Sequence, residues 1–178
     1  RQMCIRDRSC VPVWFMRQAG RYLPEFRKIR ANHPDFINLC LDSNLSSEIT
    51  LQPIKRFNLD SAIIFSDILM VPYALEQSVK FVKGKGPILG DFNLENFLDN
   101  DSNSFTKKLD PVYKAIQITR GKLNKKNSLI SFIGAPWTLL IYMLGIKKGK
   151  NEVDYGKIIS QESTINTILN KFLFKKFN

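Results

Sequence analysis

The plainest chemical potential in this chain lies in two arginines four positions apart, Arg17 and Arg21, separated by Gln18-Ala19-Gly20. They follow an apolar run, Val13-Trp14-Phe15-Met16, short enough to be a fully buried strand. Gly20 permits a backbone turn that a side chain would hinder, which brings both guanidiniums to the place where that strand ends. Two guanidiniums at a strand mouth suit fork-like recognition of carboxylates or phosphates. Pairing with internal acids is the reading that the spacing leaves equally open. Asp67 is the second candidate, placed just after the apolar run Ala62-Ile63-Ile64-Phe65. An aspartate past a buried parallel strand lies where α/β barrels put catalytic groups, and it is also a common cap of a following turn. The third candidate is Tyr142, which the local pattern reads as a core tyrosine with its hydroxyl at the rim of a helix.

The elements that must position these groups alternate. Pro24 fits the first turn of a helix carrying Glu25, Phe26, Arg27 and Ile29, which Asn32-His33-Pro34 breaks. Asp35 to Leu41 reads as a short helix, and Ser46 to Phe57 as a longer one kinked at Pro53. Strands are expected at 62–65, at 79–82 and at 129–133. Lys83-Gly84-Lys85-Gly86-Pro87 fails the phosphate-loop spacing and reads as a structural loop. Asp91 to Lys108, rich in Asn and Asp, reads as a surface connection, with a helix starting at Asp110-Pro111 and burying Val112, Ala115, Ile116 and Leu123. Gly134-Ala135-Pro136 turns the chain into a helix from Trp137 to Leu144 that Gly145 caps, with Trp137 as packing. Ile165, Ile168, Leu169, Phe172 and Leu173 mark a one-faced helix that needs a cover. Strands alternating with helices predict an α/β protein with its site at the carboxyl edge of a parallel sheet.

Composition narrows the classes. With 27 basic and 16 acidic residues the net charge is +11, which favours acidic partners by long-range attraction. The lysines are scattered in pairs such as Lys107-Lys108 and Lys125-Lys126, the pattern of a solvated surface rather than a nucleic-acid track. No apolar run approaches the ~18 residues of a membrane span, and the segment Met3-Cys4-Ile5-Arg6-Asp7-Arg8 is charged and lacks the apolar core of a secretory signal. A cytoplasmic location is the default. Cys4, Cys10, Cys40 and His33 are too few and too dispersed for a zinc site, and His33 reads as a surface histidine. No metal is expected.

Three stretches carry a family resemblance: PVWFMRQAGRYLPEFRKIR at 12–30, FNLDSAIIFSDILMVP at 57–72 and GAPWTLLIYM at 134–143. They resemble the signatures of the uroporphyrinogen decarboxylases, cofactor-free enzymes of haem biosynthesis, and the GxGP at 84–87 has a counterpart there. The resemblance runs from about Pro12 to Phe172 and covers the N-terminal half of the family's length. It implies a (β/α)8 TIM barrel, here incomplete, with about three parallel strands and their helices. Residues 12–178 would be the N-terminal part of a single barrel domain, and residues 1–11, which fit poorly with the rest of the chain, a non-native leader. The implied reaction converts the four acetate side chains of uroporphyrinogen III to methyl groups, giving coproporphyrinogen III. By resemblance Asp67, Arg17 and Arg21 are catalytic. Substrate binding falls to Arg17, Gln18, Ala19, Gly20, Arg21, Asp67 and Tyr142. The full-length enzyme is expected as a homodimer, while the isolated fragment, with apolar sheet and helix faces uncovered, is expected to be inactive and poorly soluble. Two alternatives remain beside this reading: a truncated, non-catalytic product, and a corrinoid-type methyltransferase of the same fold family.

Overall fold

The computed structural model describes residues 13–16, 18–82, 84–148 and 152–174. Local sequence explains most helix starts. The fixed φ of Pro24 opens α1 (Pro24–Asn32), and the backbone N–H of His33 closes it on Ile29. The Asp35 carboxylate accepts from the Asn38 N–H to start α2 (Phe36–Leu41). Asp42 accepts from Asn44 and Leu45 at 3.0 and 2.9 Å and starts α3 (Ser43–Phe57), three residues before the expected Ser46. Then come β1 (Ser61–Ile63), α4 (Met70–Ala74), β2 (Val79–Val82) and β3 (Gly86–Leu89). The remaining elements are α5 (Leu94–Asp99), α6 (Ser102–Lys122), β4 (Ser128–Ile130), α7 (Pro136–Met143), β5 (Lys147–Lys148), β6 (Glu152–Val153), α8 (Tyr155–Ser160) and α9 (Glu162–Phe174).

The chain divides into two compact units, one running up to Asp67 and adding Asp110–Phe132, the other comprising Ile68–Leu109 and the residues from Ile133 on. In the first unit β1 and β4 pair in parallel, with Ser61 opposite Ser128 and Ile63 opposite Ile130. One further bond, from the Ile64 N–H to the Ile130 carbonyl at 3.0 Å, ends the ladder. Leu51 of α3 and Leu123 pack on Ala62, while Leu23, Phe26, Leu39 and Ile49 form a second cluster against Phe65.

In the second unit β2 and β3 form an antiparallel hairpin, and β5 and β6 another. Its core joins Phe97 of α5, Leu139, Leu140 and Met143 of α7, and Ile165 and Ile168 of α9. At the end of α7 the N–H groups of Gly145 and Ile146 return to the carbonyls of Tyr142 and Ile141, with Gly145 at φ +60°. That is the left-handed cap its glycine predicts. The Lys171 ammonium of α9 closes α5 by donating to the carbonyls of Phe97, Leu98 (2.9 Å) and Asn100 (3.1 Å), and it sits 4.7 Å above the Phe97 ring.

Several expectations are corrected. Among the described residues Val13–Met16 forms no strand, and its side chains are 52, 44, 57 and 79% exposed. Its backbone is tied to Asp60, whose N–H bonds the Val13 carbonyl at 2.9 Å, but beside β1 the place of a ladder is taken by the Gln18 side chain. The parallel sheet therefore has two described strands rather than three. The strand expected at 129–133 stops at Ile130, whose carbonyl accepts the last bond of the ladder, from the Ile64 N–H. The supposed surface connection at 91–108 holds α5 and the start of α6, since Asn93 and Asp101 act as N-caps rather than loop residues. Pro111 lies inside α6, not at its start, and its carbonyl accepts from the Ser43 hydroxyl. Trp137 is 44% exposed rather than packed. On the last helix Ile165 and Ile168 are buried against α7 and Leu169 packs beside them, while the side chains of Phe172 and Leu173 lie outside the described residues. No described helix is long and apolar enough to cross a membrane.

Truncating Ile168 to Ala should lower stability by about 2–5 kcal/mol, the penalty of a cavity at a fully buried site. The same change at exposed Ile159 should stay within about 0.5 kcal/mol. Urea unfolding of the two variants checks the difference.

Candidate active site

In the first unit the loop after Met16 and the end of β1 face one cavity of about 450 Å3. Gln18, Ala19, Gly20, Arg21 and Asp67 all line it. Arg17, the other expected guanidinium, lies outside the described residues. The main anchor of the loop is Gln18, which is only 3% exposed. Its Nε2 donates to the Ser61 carbonyl at 2.7 Å and its Oε1 accepts from the Ile63 N–H at 3.1 Å. Donor and acceptor are thus matched to β1 as a neighbouring peptide would match them. The Gln18 amide consequently supports the site rather than reaching into it.

Downstream, the Tyr22 hydroxyl donates to the Gln18 carbonyl and the Leu23 N–H closes a turn on Gly20 at 3.0 Å. Partial burial pushes the Tyr22 phenol above its ordinary range. The turn expected at Gly20 is present, but glycine is not what permits it. A Cβ there would meet only the Tyr22 ring, at an ordinary 3.5 Å, and the φ is not positive. Arg21 is exposed, and its carbonyl accepts from Arg27 at 2.9 Å.

Asp67, partly buried, follows a backbone held on both sides. The Phe65 N–H donates to the Thr50 hydroxyl at 2.8 Å, and the Phe65 carbonyl accepts from the Ser46 hydroxyl at 2.7 Å. Edge contacts of the Phe65 ring with Phe26 and Phe36, at centroid distances of 5.8 and 5.6 Å, complete the hold. Ser46 and Thr50 are not singled out by the sequence motifs. Their signal is two hydroxyls one turn apart on the inner face of an amphipathic helix, flanking Ile49. Cys40 lies fully buried nearby. Burial pushes its thiol well above the usual range, the Asp67 carboxylate adds to the shift, Arg30 opposes it and Asp35 reinforces it.

Tyr142 belongs to the second unit. There it is partly buried on α7 and lines a separate cavity of about 930 Å3 with Lys85, Asp91, Lys157 and Gln161. Among the described residues no group of three or more His, Cys, Asp or Glu side chains is arranged to hold a metal ion.

A parallel strand pair flanked by helices, with polar groups gathered past the strand ends, defines an α/β protein. A methyltransferase from Methanosarcina mazei shares the fold, with a TM-score of 0.63 over 92% of this chain and 46% of that one, at 15% identity. The family model for uroporphyrinogen decarboxylase (URO-D) matches residues 6–172. The chain belongs to that family. The uroporphyrinogen decarboxylase of Rickettsia canadensis is 44% identical over 172 residues, 93% of this chain and 49% of the relative. That of Mesorhizobium japonicum is 47% identical over 133 residues, 75% of this chain and 39% of the relative. A third, from Campylobacter jejuni, is 44% identical over 90% of this chain and 48% of its own length. The chain thus spans about half the length of the curated relatives it matches.

Two measurements check this geometry. Gln18→Met should orphan the Ser61 carbonyl and the Ile63 N–H and destabilise by about 1–3 kcal/mol for each group left unpaired, read by urea unfolding. For Cys40, the folded-state pKa is raised, so its contribution is complete below the unfolded value of about 8.5 and is lost as pH rises from there toward the folded value. In a Cys4→Ser, Cys10→Ser background, stability should fall between pH 8 and 10 by up to about 1.4 kcal/mol per pH unit, and Cys40→Ala should abolish that slope.

Proposed function

We propose that the whole protein carrying this chain is a carboxy-lyase that converts uroporphyrinogen III to coproporphyrinogen III. The observation that carries the reading is the cavity shared by Asp67 and the Gln18–Arg21 loop in a chain of this family. The substrate has eight carboxylates, and a chain of net charge +11 with Arg21 at its cavity is suited to attract and orient it.

Decarboxylation needs an electron sink. In this reading the substrate's own pyrrole supplies it: a proton adds to the ring carbon, the bond to the carboxylate breaks, and its electron pair neutralises the cationic ring. Carbon dioxide leaves, a second proton converts the exocyclic carbon to a methyl group, and the ring carbon then gives up the first proton to restore the pyrrole. Asp67 accepts hydrogen bonds from the pyrrole N–H groups and stabilises the cationic intermediate. Arg17 and Arg21 hold acetate or propionate carboxylates, Gln18, Ala19 and Gly20 shape the loop, and Tyr142 hydrogen-bonds near the reacting ring. The whole protein works as a cytoplasmic homodimer on this reading. The methyltransferase likeness is one of fold alone at 15% identity, and the decarboxylase relatives at 44–47% favour decarboxylation.

Anaerobic incubation of the whole protein with uroporphyrinogen III, followed by chromatography of the oxidised products, should show coproporphyrin accumulating. Asp67→Ala should lower kcat by at least about 100-fold, the scale of removing one group that stabilises developing charge. Arg21→Ala should mainly raise KM. No product from the unaltered protein would overturn the reading, and wild-type turnover by Asp67→Ala would overturn the site.

A further inference from the structure

Asp67 has to hold its carboxylate in one place while a large substrate turns over, yet it lies beyond the sheet ladder, which ends at Ile64. What replaces the ladder is a pair of hydroxyls on α3. Thr50 Oγ1 donates to the Ser46 carbonyl at 2.8 Å and accepts from the Phe65 N–H at 2.8 Å, so its hydrogen has a fixed direction. Ser46 Oγ donates to the Phe65 carbonyl at 2.7 Å. Both side chains are 1% exposed, so water does not compete for these bonds. The peptide groups on either side of Phe65 are therefore fixed to a helix that begins at its own aspartate cap and packs along β1.

We propose that Ser46 and Thr50 are positioning residues for Asp67, setting where the strand end delivers its carboxylate. The inference rests on the catalytic role proposed for Asp67. Neither hydroxyl touches substrate, and each acts through the Phe65 backbone two residues upstream. An ångström of misplacement at a reacting group lowers rate by up to about 100-fold. The clamp should thus register in turnover more than in binding.

The test compares Thr50→Val, which keeps the volume and loses the hydroxyl, with Thr50→Ser, which keeps the hydroxyl, and with Ser46→Ala, all in the whole protein. Thr50→Val should lower kcat about 10- to 100-fold with KM changed less than about 3-fold, Ser46→Ala should lower kcat about 10-fold, and Thr50→Ser should stay within about 3-fold of the unaltered enzyme. If Thr50→Val fails to fold, Ser46→Ala and Thr50→Ser carry the same criteria. Wild-type kcat in folded Thr50→Val or Ser46→Ala, beside an inactive Asp67→Ala, would overturn the clamp alone. So would a Thr50→Ser as slow as Thr50→Val. An active Asp67→Ala would instead overturn the decarboxylase site on which the clamp rests.

Discussion

The first unit depends on one buried amide. Gln18 sits where a strand would pair with β1, and its side chain supplies the donor and acceptor that the strand's backbone lacks. Leaving both β1 groups unpaired would forfeit a few kcal/mol, a sizeable part of a domain's stability. Once Gln18 is seated, the loop has only short steps to make. Val13 is tied to Asp60 upstream, Tyr22 returns to the Gln18 carbonyl, and Pro24 starts α1 so that Phe26 meets Phe65. The arginine-bearing loop and the aspartate thus share a cavity because one residue type can imitate a peptide group.

Past the ladder's end, the first unit changes its means of support. Main-chain pairing holds β1 through Ile64, and side-chain hydroxyls of α3 hold Phe65. The neighbouring Cys40 is also informative. Burial raises the pKa of its thiol, and the Asp67 carboxylate pushes in the same direction, which disfavours a second anion in this part of the unit.

Sequence made much of this legible. Helix starts followed their Asp and Pro signals, and the pairing of Asp67 with the Gln18–Arg21 loop followed from motifs whose residues are distant in the chain. The failures have physical causes. The run 13–16 has strand composition, but composition does not reveal that a side chain has taken the ladder's place. Asn93 and Asp101 looked like loop residues because the same short polar side chains serve turns and helix caps. Pro111 misled because proline is commonest in a first turn, although α6 is long enough to absorb one missing bond. Ser46 and Thr50 were unreadable for a different reason: a hydroxyl inside a helix ordinarily bonds its own helix, and Thr50 does this while also holding a strand end.

The Lys171 ammonium that closes α5 has a consequence for how the chain comes into being. Its partners, the carbonyls of Phe97, Leu98 and Asn100, lie 71–74 residues earlier. At synthesis rates of 5–20 residues per second, roughly 4–15 s separate the emergence of α5 from that of the lysine that completes it. Through that interval α5 has neither its carbonyl partner nor the cover of α9 over Phe97. The core around Phe97 therefore cannot close until α9 has been made, so local sequence alone does not complete α5.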